Sequence, residues 1–218
     1  MFSTNTYQSR RAKLVENIHD DGILLFLTNS ENPINFEHNC YPFRQDSTFL
    51  YYFGIKMPGI VGLIDLAENK TILFGNEQNS DEIIWTGKIE SLQEKGFKSA
   101  VHDIQPLSKL FNYLQKALRS ARKVHFLPPY QAYNKILLAA LINQPIDHLK
   151  PSTAFIKAVV AQRAIKEEQE IIEIEKALSA TVEMHKLAMR ITKAGMREYE
   201  IINAMRHYSA DLGYTFAY

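Results

Sequence analysis

Two kinds of sequence follow one another in this chain, and the change between them limits the folds open to it. From about residue 8 to residue 150, short apolar runs alternate with amphipathic stretches. From Lys166 to Gly213 the short runs stop and only helical periodicity remains. The first pattern implies a layered α/β domain. Residues 8–20 read as an amphipathic helix, with Leu14, Val15 and Ile18 on one side. ILLFLT at 23–28 is a nearly continuous apolar run, as in a buried strand. GIVGLIDL (59–66) and TILFGN (71–76), separated by ENK, predict a hairpin. SDEIIWTG (80–87) begins with Ser80 and two acidic residues, which suits a helix start. PLSKLFNYLQKALRSA (106–121) is a helix, VHFLP (124–128) a strand and YNKILLAALIN (133–143) an apolar helix.

After Lys150-Pro151 two helices are expected. The first, within 166–195, carries apolar residues at 171, 174, 178, 182 and 189. It opens on a cluster of Glu and closes with Lys193 and Gly195, as the helix macrodipole and C-cap preferences require. The second runs over 197–213 and ends at Gly213. The expected division is a domain at 1–155 followed by a linker and two helices at 156–218. Two helices of this length do not bury their apolar faces by themselves.

One stretch, YPFRQDSTFLYYFG at 41–54, needs its own account. Pro42 biases Tyr41 toward an extended conformation. From Ser47 the side chains read as alternating, with Phe49, Tyr51 and Phe53 on one side and Leu50 and Tyr52 on the other. That pattern predicts a strand covered on both faces. It leaves Arg44, Gln45 and Asp46 without a role.

Bulk properties exclude little. With 25 basic and 24 acidic residues and no Lys/Arg block, the chain lacks the concentrated positive charge that nucleic acid demands. No apolar run reaches the roughly 20 residues of a membrane helix. The first 20 residues are polar and have no signal-like apolar region. A single cysteine, Cys40, rules out an internal disulfide framework. The expectation is a soluble, cytoplasmic protein with neither nucleic acid nor membrane as partner.

Chemistry-bearing clusters are sparse. His38 and Cys40 sit two apart, but catalytic Cys–His pairs are usually distant in sequence, so a structural cysteine is the preferred reading. The seven histidines form no HExxH motif, and no CxxC or glycine-rich phosphate loop occurs. His185, in line with Val182 and Met189, reads as an interface histidine. Glu167, Glu168, Glu170, Glu173 and Glu175 read as a solvated helix start. Trp85, the single tryptophan, is open to two readings: a core residue, or an exposed anchor in an interface or ligand pocket.

The stretch at 41–54 resembles the signature of the N-terminal domain of Xaa-Pro aminopeptidases (aminopeptidase P), in which Tyr-Pro-aromatic-Arg-Gln-Asp/Asn-Ser precedes an aromatic segment ending in Gly. RRAKL (10–14) is similar to the family's Arg-Arg-x-x-Leu, and IIWTGK (83–88) to its Ile-Trp-x-Gly-Arg/Lys turn. AIKEEQEIIEIEKA resembles the Lys-x-x-x-Glu-Ile helix opening the catalytic domain, and AGMREYEI the Gly-Met-x-Glu-Tyr-Glu element after it. Prolidases, which are Xaa-Pro dipeptidases, share this architecture.

The resemblance implies a three-layer α/β/α, creatinase/prolidase-type N-terminal domain with a mixed sheet, followed by the truncated helical start of a pita-bread domain. It implies a parent hydrolase that removes the N-terminal residue from proline-containing peptides, using two Mn²⁺ held by two Asp, one His and two Glu. No acidic residue follows Asp211, so no catalytic or metal-binding residue is expected in this stretch, and the chain alone is expected to be inactive. Arg44, Gln45 and Asp46 are given the role of stabilising the loop ahead of a central strand. Trp85 matches a tryptophan reaching a neighbouring subunit's active site, and Tyr218 a tyrosine lining the metal site; both are expected to bind substrate. A homodimer or homotetramer is implied. The alternatives are an Xaa-Pro dipeptidase or a non-catalytic binding and oligomerisation module.

Overall fold

A computed structural model of the chain describes residues 2–216. The chain divides into two compact units between Ala164 and Ile165.

The first unit is built on the apolar runs. Strand β1 (Ile23–Leu27) pairs antiparallel with β4 (Val61–Asp65) and parallel with β7 (Val124–Phe126). β4 pairs antiparallel with β5 (Lys70–Phe74), the expected hairpin, and β5 pairs parallel with β6 (Asp103–Gln105). The sheet order is β6–β5–β4–β1–β7, a mixed sheet. Successive side chains of β1 serve opposite faces. Leu24 and Phe26 join the core under helices α1 (Thr4–Glu16), α2 (Ser47–Phe53), α4 (Leu92–Lys98) and α7 (Thr153–Ala164). Ile23 and Leu25 join the other core, under α5 (Leu110–Arg119) and α6 (Ala132–Ile142). This is a three-layer α/β/α domain. A short ribbon, β2 (Pro33–Phe36) with β3 (Asn39–Cys40), projects from it and is largely exposed.

The aromatic stretch is the main departure from expectation. Residues Ser47–Phe53 form helix α2 and not a strand. Asp46 caps it: its Oδ1 accepts the N–H groups of Thr48 (2.9 Å) and Phe49 (2.8 Å). A side-chain cap satisfies donors that a helix start leaves without partners. At the other end Gly54 takes the left-handed conformation (φ 66°), and its N–H closes on Leu50 O at 2.9 Å. A Cβ at Gly54 would also lie 2.2 Å from the Tyr7 ring, so no other residue fits. Phe49, Tyr52 and Phe53, at i, i+3 and i+4, make the buried stripe of a helix. The period of 3.6 prevails over the apparent alternation because both ends are capped.

Helix α1 presents two buried arginines to the ends of other helices. Arg10 Nη1 donates to Tyr51 O (3.0 Å), and its guanidinium stacks 3.8 Å from the Tyr51 ring centroid. Arg11 donates to Tyr52 O (2.7 Å), to Ser99 O and Oγ, and to Ala100 O. These carbonyls close α2 and α4, where partial negative charge collects. Burial lowers the Arg11 guanidinium to about 10, which leaves it charged at neutral pH.

Helix α7 inserts Phe155, Ala158 and Val159 into the same core, and Gln162 Nε2 donates to Arg10 O at 3.0 Å. The first compact unit therefore runs to Ala164.

The second unit contains α8 (Glu168–Ile191) and α9 (Glu198–Asp211), the two expected helices. No residue of α8 is buried, and in α9 Ser209 alone is.

Candidate functional site

Three loops of the first unit converge beside the carboxyl ends of the neighbouring parallel strands β1 and β7. Open α/β sheets characteristically bind ligands at that end of their strands. The loop after β1 supplies Asn29, Ser30 and Asn32; the loop after β7 supplies Tyr130 and Gln131; the segment 41–47 closes the cleft. The enclosed space is about 370 Å³.

The polar triplet fixes these loops to one another. Gln45, 3% exposed, accepts the N–H of Asn29 (2.9 Å) and donates to Met57 O (2.7 Å). Asn29 donates to Arg44 O (2.8 Å) and to Tyr130 Oη (2.9 Å), and Ser30 N–H donates to Tyr133 Oη (2.8 Å). Tyr41 N–H donates to Asn32 O at 3.0 Å. Gln45, Asp46 and the main chain of Arg44 thus perform the structural work, but ahead of a helix and not a strand. The Arg44 side chain is exposed and lines the cleft. Burial pushes the Tyr130 phenol above its ordinary value; the Asn29 contact opposes this and the nearby Asp46 charge adds to it. Asn29 and Tyr130 carried no signal in the sequence. Only the pairing of β1 with β7 brings residues about a hundred positions apart together.

Trp85 lies on α3 (Ser80–Thr86), a helix without one buried residue. It is 87% exposed, and Ile84 beside it 79%. The reading of Trp85 as a core residue is thereby excluded. The loop carrying it is nonetheless braced. Asn79, one residue ahead of the expected cap, forms a capping box with Glu82. Gln78 donates to Thr86 Oγ1 (3.0 Å) and accepts from Ile89 N–H (2.9 Å). The indole is thus held outward on a braced loop. Tyr218 lies outside the described residues.

The remaining ionisable clusters serve the fold. Asp65, with 1% of its side chain exposed, pairs with Arg122 and accepts from Tyr113 Oη (2.8 Å) and Glu68 N–H (3.0 Å). Burial raises its carboxyl, but the Arg122, Glu68 and Tyr113 bonds outweigh burial and hold it below the ordinary carboxylate value. His125 Nδ1 is 2.8 Å from Ser152 Oγ, the residue ahead of α7. His38 stacks edge-on against Phe36, and Cys40 Sγ approaches Glu37 O at 3.4 Å. In the second unit a cavity of about 440 Å³ is lined by Ala177, Met184, His185, Ser209 and Tyr214. Among the described residues no three His, Cys, Asp or Glu side chains gather in ligating geometry. No described helix is long and apolar enough to cross a membrane.

A three-layer α/β/α domain with a mixed sheet and a preorganised polar cleft defines the class. Within it, the sequence profile described as "Aminopeptidase P, N-terminal domain" matches residues 7–125, and the chain belongs to that family. Human Xaa-Pro dipeptidase is 27% identical over 175 residues, covering 78% of this chain and 34% of its own. Xaa-Pro aminopeptidase of Haemophilus influenzae is 23% identical over 204 residues, covering 92% of this chain and 46% of its own. The low-pH form of aminopeptidase P from E. coli has the same fold, with a TM-score of 0.82 at 22% identity. That likeness covers 98% of this chain and 50% of the E. coli chain. This chain spans about a third of the length of the first curated relatives it matches.

Proposed function

We propose that this chain is the N-terminal portion of a metal-dependent Xaa-Pro aminopeptidase, which releases the N-terminal residue from peptides with proline in second position. The observation that carries the reading is family membership over 7–125, joined to relatives named as Xaa-Pro peptidases. In this reading the N-terminal domain at 1–155, with the residues that follow as a connection, shapes the substrate cleft and makes subunit contacts in a homodimer or homotetramer. Trp85 contributes to a neighbouring subunit's substrate site, which accounts for an indole 87% exposed on a braced loop. Helices α8 and α9 open a pita-bread catalytic domain, and Tyr218 is proposed to line its metal site. The ligands for two Mn²⁺ belong to sequence other than this chain, and the enzyme works in the cytoplasm. The chain by itself is inactive.

A second reading is an Xaa-Pro dipeptidase, because the human enzyme of that name is 27% identical over 175 residues of this chain. Both readings are tested by assaying the complete gene product and the isolated 218-residue chain with Mn²⁺ on Ala-Pro and on Ala-Pro-Ala. Cleavage of Ala-Pro-Ala by the complete product alone is expected. Cleavage restricted to Ala-Pro selects the dipeptidase. Cleavage of neither peptide, or cleavage by the isolated chain, overturns the proposal.

A further inference from the structure

A second concavity shares Ser30 with the polar cleft and lies between the start of α5 and helix α6, where β1 ends and β4 begins. It encloses about 400 Å³, within the roughly 300–1,000 Å³ of small-ligand clefts. Ile60, Leu110 and Leu141, each at most 5% exposed, form its floor. Phe111 and Leu137, 48% and 39% exposed, stand at its mouth. Among the described residues, no Asp, Glu, Lys, Arg or His lines this space. Nothing in the wall would therefore offset the cost of taking an ion out of water.

One buried polar atom is left over. Asn134 lines the cavity and is 6% exposed. Its Nδ2 donates to Thr28 O (3.1 Å), whereas its Oδ1 accepts no hydrogen bond from the described residues. That oxygen is not sealed in the packing, so a donor can reach it. An amide carbonyl with a lone pair to spare, set in an apolar wall, selects an occupant with one matching donor. Asn134 also borders a space of about 40 Å³ beside Pro128 and Pro129, which has room for water and not for a ligand. The walls are fixed in advance. Thr28 Oγ1 donates to Ile60 O (2.5 Å), and Ser30 N–H donates to Tyr133 Oη (2.8 Å). A site formed before binding avoids the ordering cost that weakens most binding by loops.

We infer that this cavity binds a compact, uncharged, apolar molecule carrying a hydroxyl group. The hydroxyl donates to Asn134 Oδ1, and the hydrocarbon body packs on Ile60, Leu110, Phe111 and Leu141. The class follows from the wall: apolar over most of its surface, without charge, and with one acceptor unused. A free peptide is excluded as the occupant, since its charged termini would meet no countercharge there.

The test uses the 218-residue chain and 3-phenylpropan-1-ol, with binding followed by methyl NMR. Saturable shifts at Ile60, Leu110, Leu137 and Leu141 are expected, with a Kd on the order of 1 mM for a probe of about ten non-hydrogen atoms. The carboxylate of the same skeleton, 3-phenylpropanoate, should bind at least about tenfold more weakly, because its charge is desolvated without a partner. The methyl ether of the alcohol should bind about fivefold more weakly, the loss expected of one neutral hydrogen bond. In Asn134→Leu the alcohol should fall to the affinity of the ether. The three probes are compared on the unaltered chain, so the result stands even if that substitution unfolds the protein. No saturation at about 10 mM alcohol, carboxylate bound as well as alcohol, or ether bound as well as alcohol overturns the inference. Shifts centred on other residues overturn it too. Shifts at Phe111 and Leu137 that follow protein concentration and ignore the alcohol would assign the cavity to a second copy of the chain, and likewise overturn it.

Discussion

The two units of this chain are both rich in apolar residues, yet they use them in opposite ways. In the first, Phe26 meets Phe53 and Phe155 edge to face, with ring centroids 5.3 and 5.1 Å away, and each of the three is at most 3% exposed. In the second, Ile174, Leu178 and Met189 are 50%, 57% and 78% exposed. Helical periodicity is equally clear in both. An apolar stripe therefore states which face of a helix is available for burial, and only the surrounding chain decides whether it is buried. The first unit has a sheet for its helices to cover; α8 and α9 have each other.

Three substitutions would break or sharpen that contrast. Phe155→Ala has the largest expected effect, about 4 kcal/mol off the stability of the first unit, because it empties a fully buried ring site. Chemical denaturation measures it, and a loss below about 1 kcal/mol would mean that α7 does not belong to that core. Asp65→Asn comes next, at about 3 kcal/mol, since it strands Arg122 and weakens the Tyr113 contact. Its pH dependence has a definite sign. The folded Asp65 carboxyl lies below its ordinary value of 3.8, so its stabilisation is fully present above that value and is lost as pH falls through the lower folded one. Denaturation midpoints between neutral pH and acid should fall less steeply for Asp65→Asn than for the unaltered chain. Leu178→Ala should have the smallest effect in this chain, about 0.5 kcal/mol or less. A loss near that of Phe155→Ala would show that the face of α8 is covered in solution.

The sequence disclosed elements whose signal is local. The run at 23–28, the hairpin around ENK and the helix at 106–121 are carried by residues adjacent in the chain, and all three form. The stretch from Ser47 to Phe53 misled because aromatic residues on every face satisfy a period of 2 as readily as 3.6. The deciding residues stand outside it, Asp46 as cap and Gly54 as stop. Trp85 could not be placed from sequence, since IIWTG suits a core helix as well as an exposed one; the structure puts it outside. The cleft was half legible. Arg44, Gln45 and Asp46 stood out as unexplained polarity, whereas Asn29 and Tyr130 acquire a role only through the parallel pairing of β1 and β7.

The arginine pair near the N-terminus has a consequence for synthesis on the ribosome. Arg11 bonds to residues 88 and 89 positions later, and the Arg10 carbonyl accepts from Gln162, 152 positions later. Helix α1 is translated first; its partners on α2 follow 41 positions later, but those on α4 and α7 emerge late. Until α4 has left the exit tunnel, Arg11 has no Ser99 or Ala100 to hold, and until α7 follows, Phe26 lacks its neighbour Phe155. Contacts so distant in sequence slow closure of the native core. The nascent chain can dock its opening helix on α2 early, but it completes the core around that helix only when α4 and α7 have emerged.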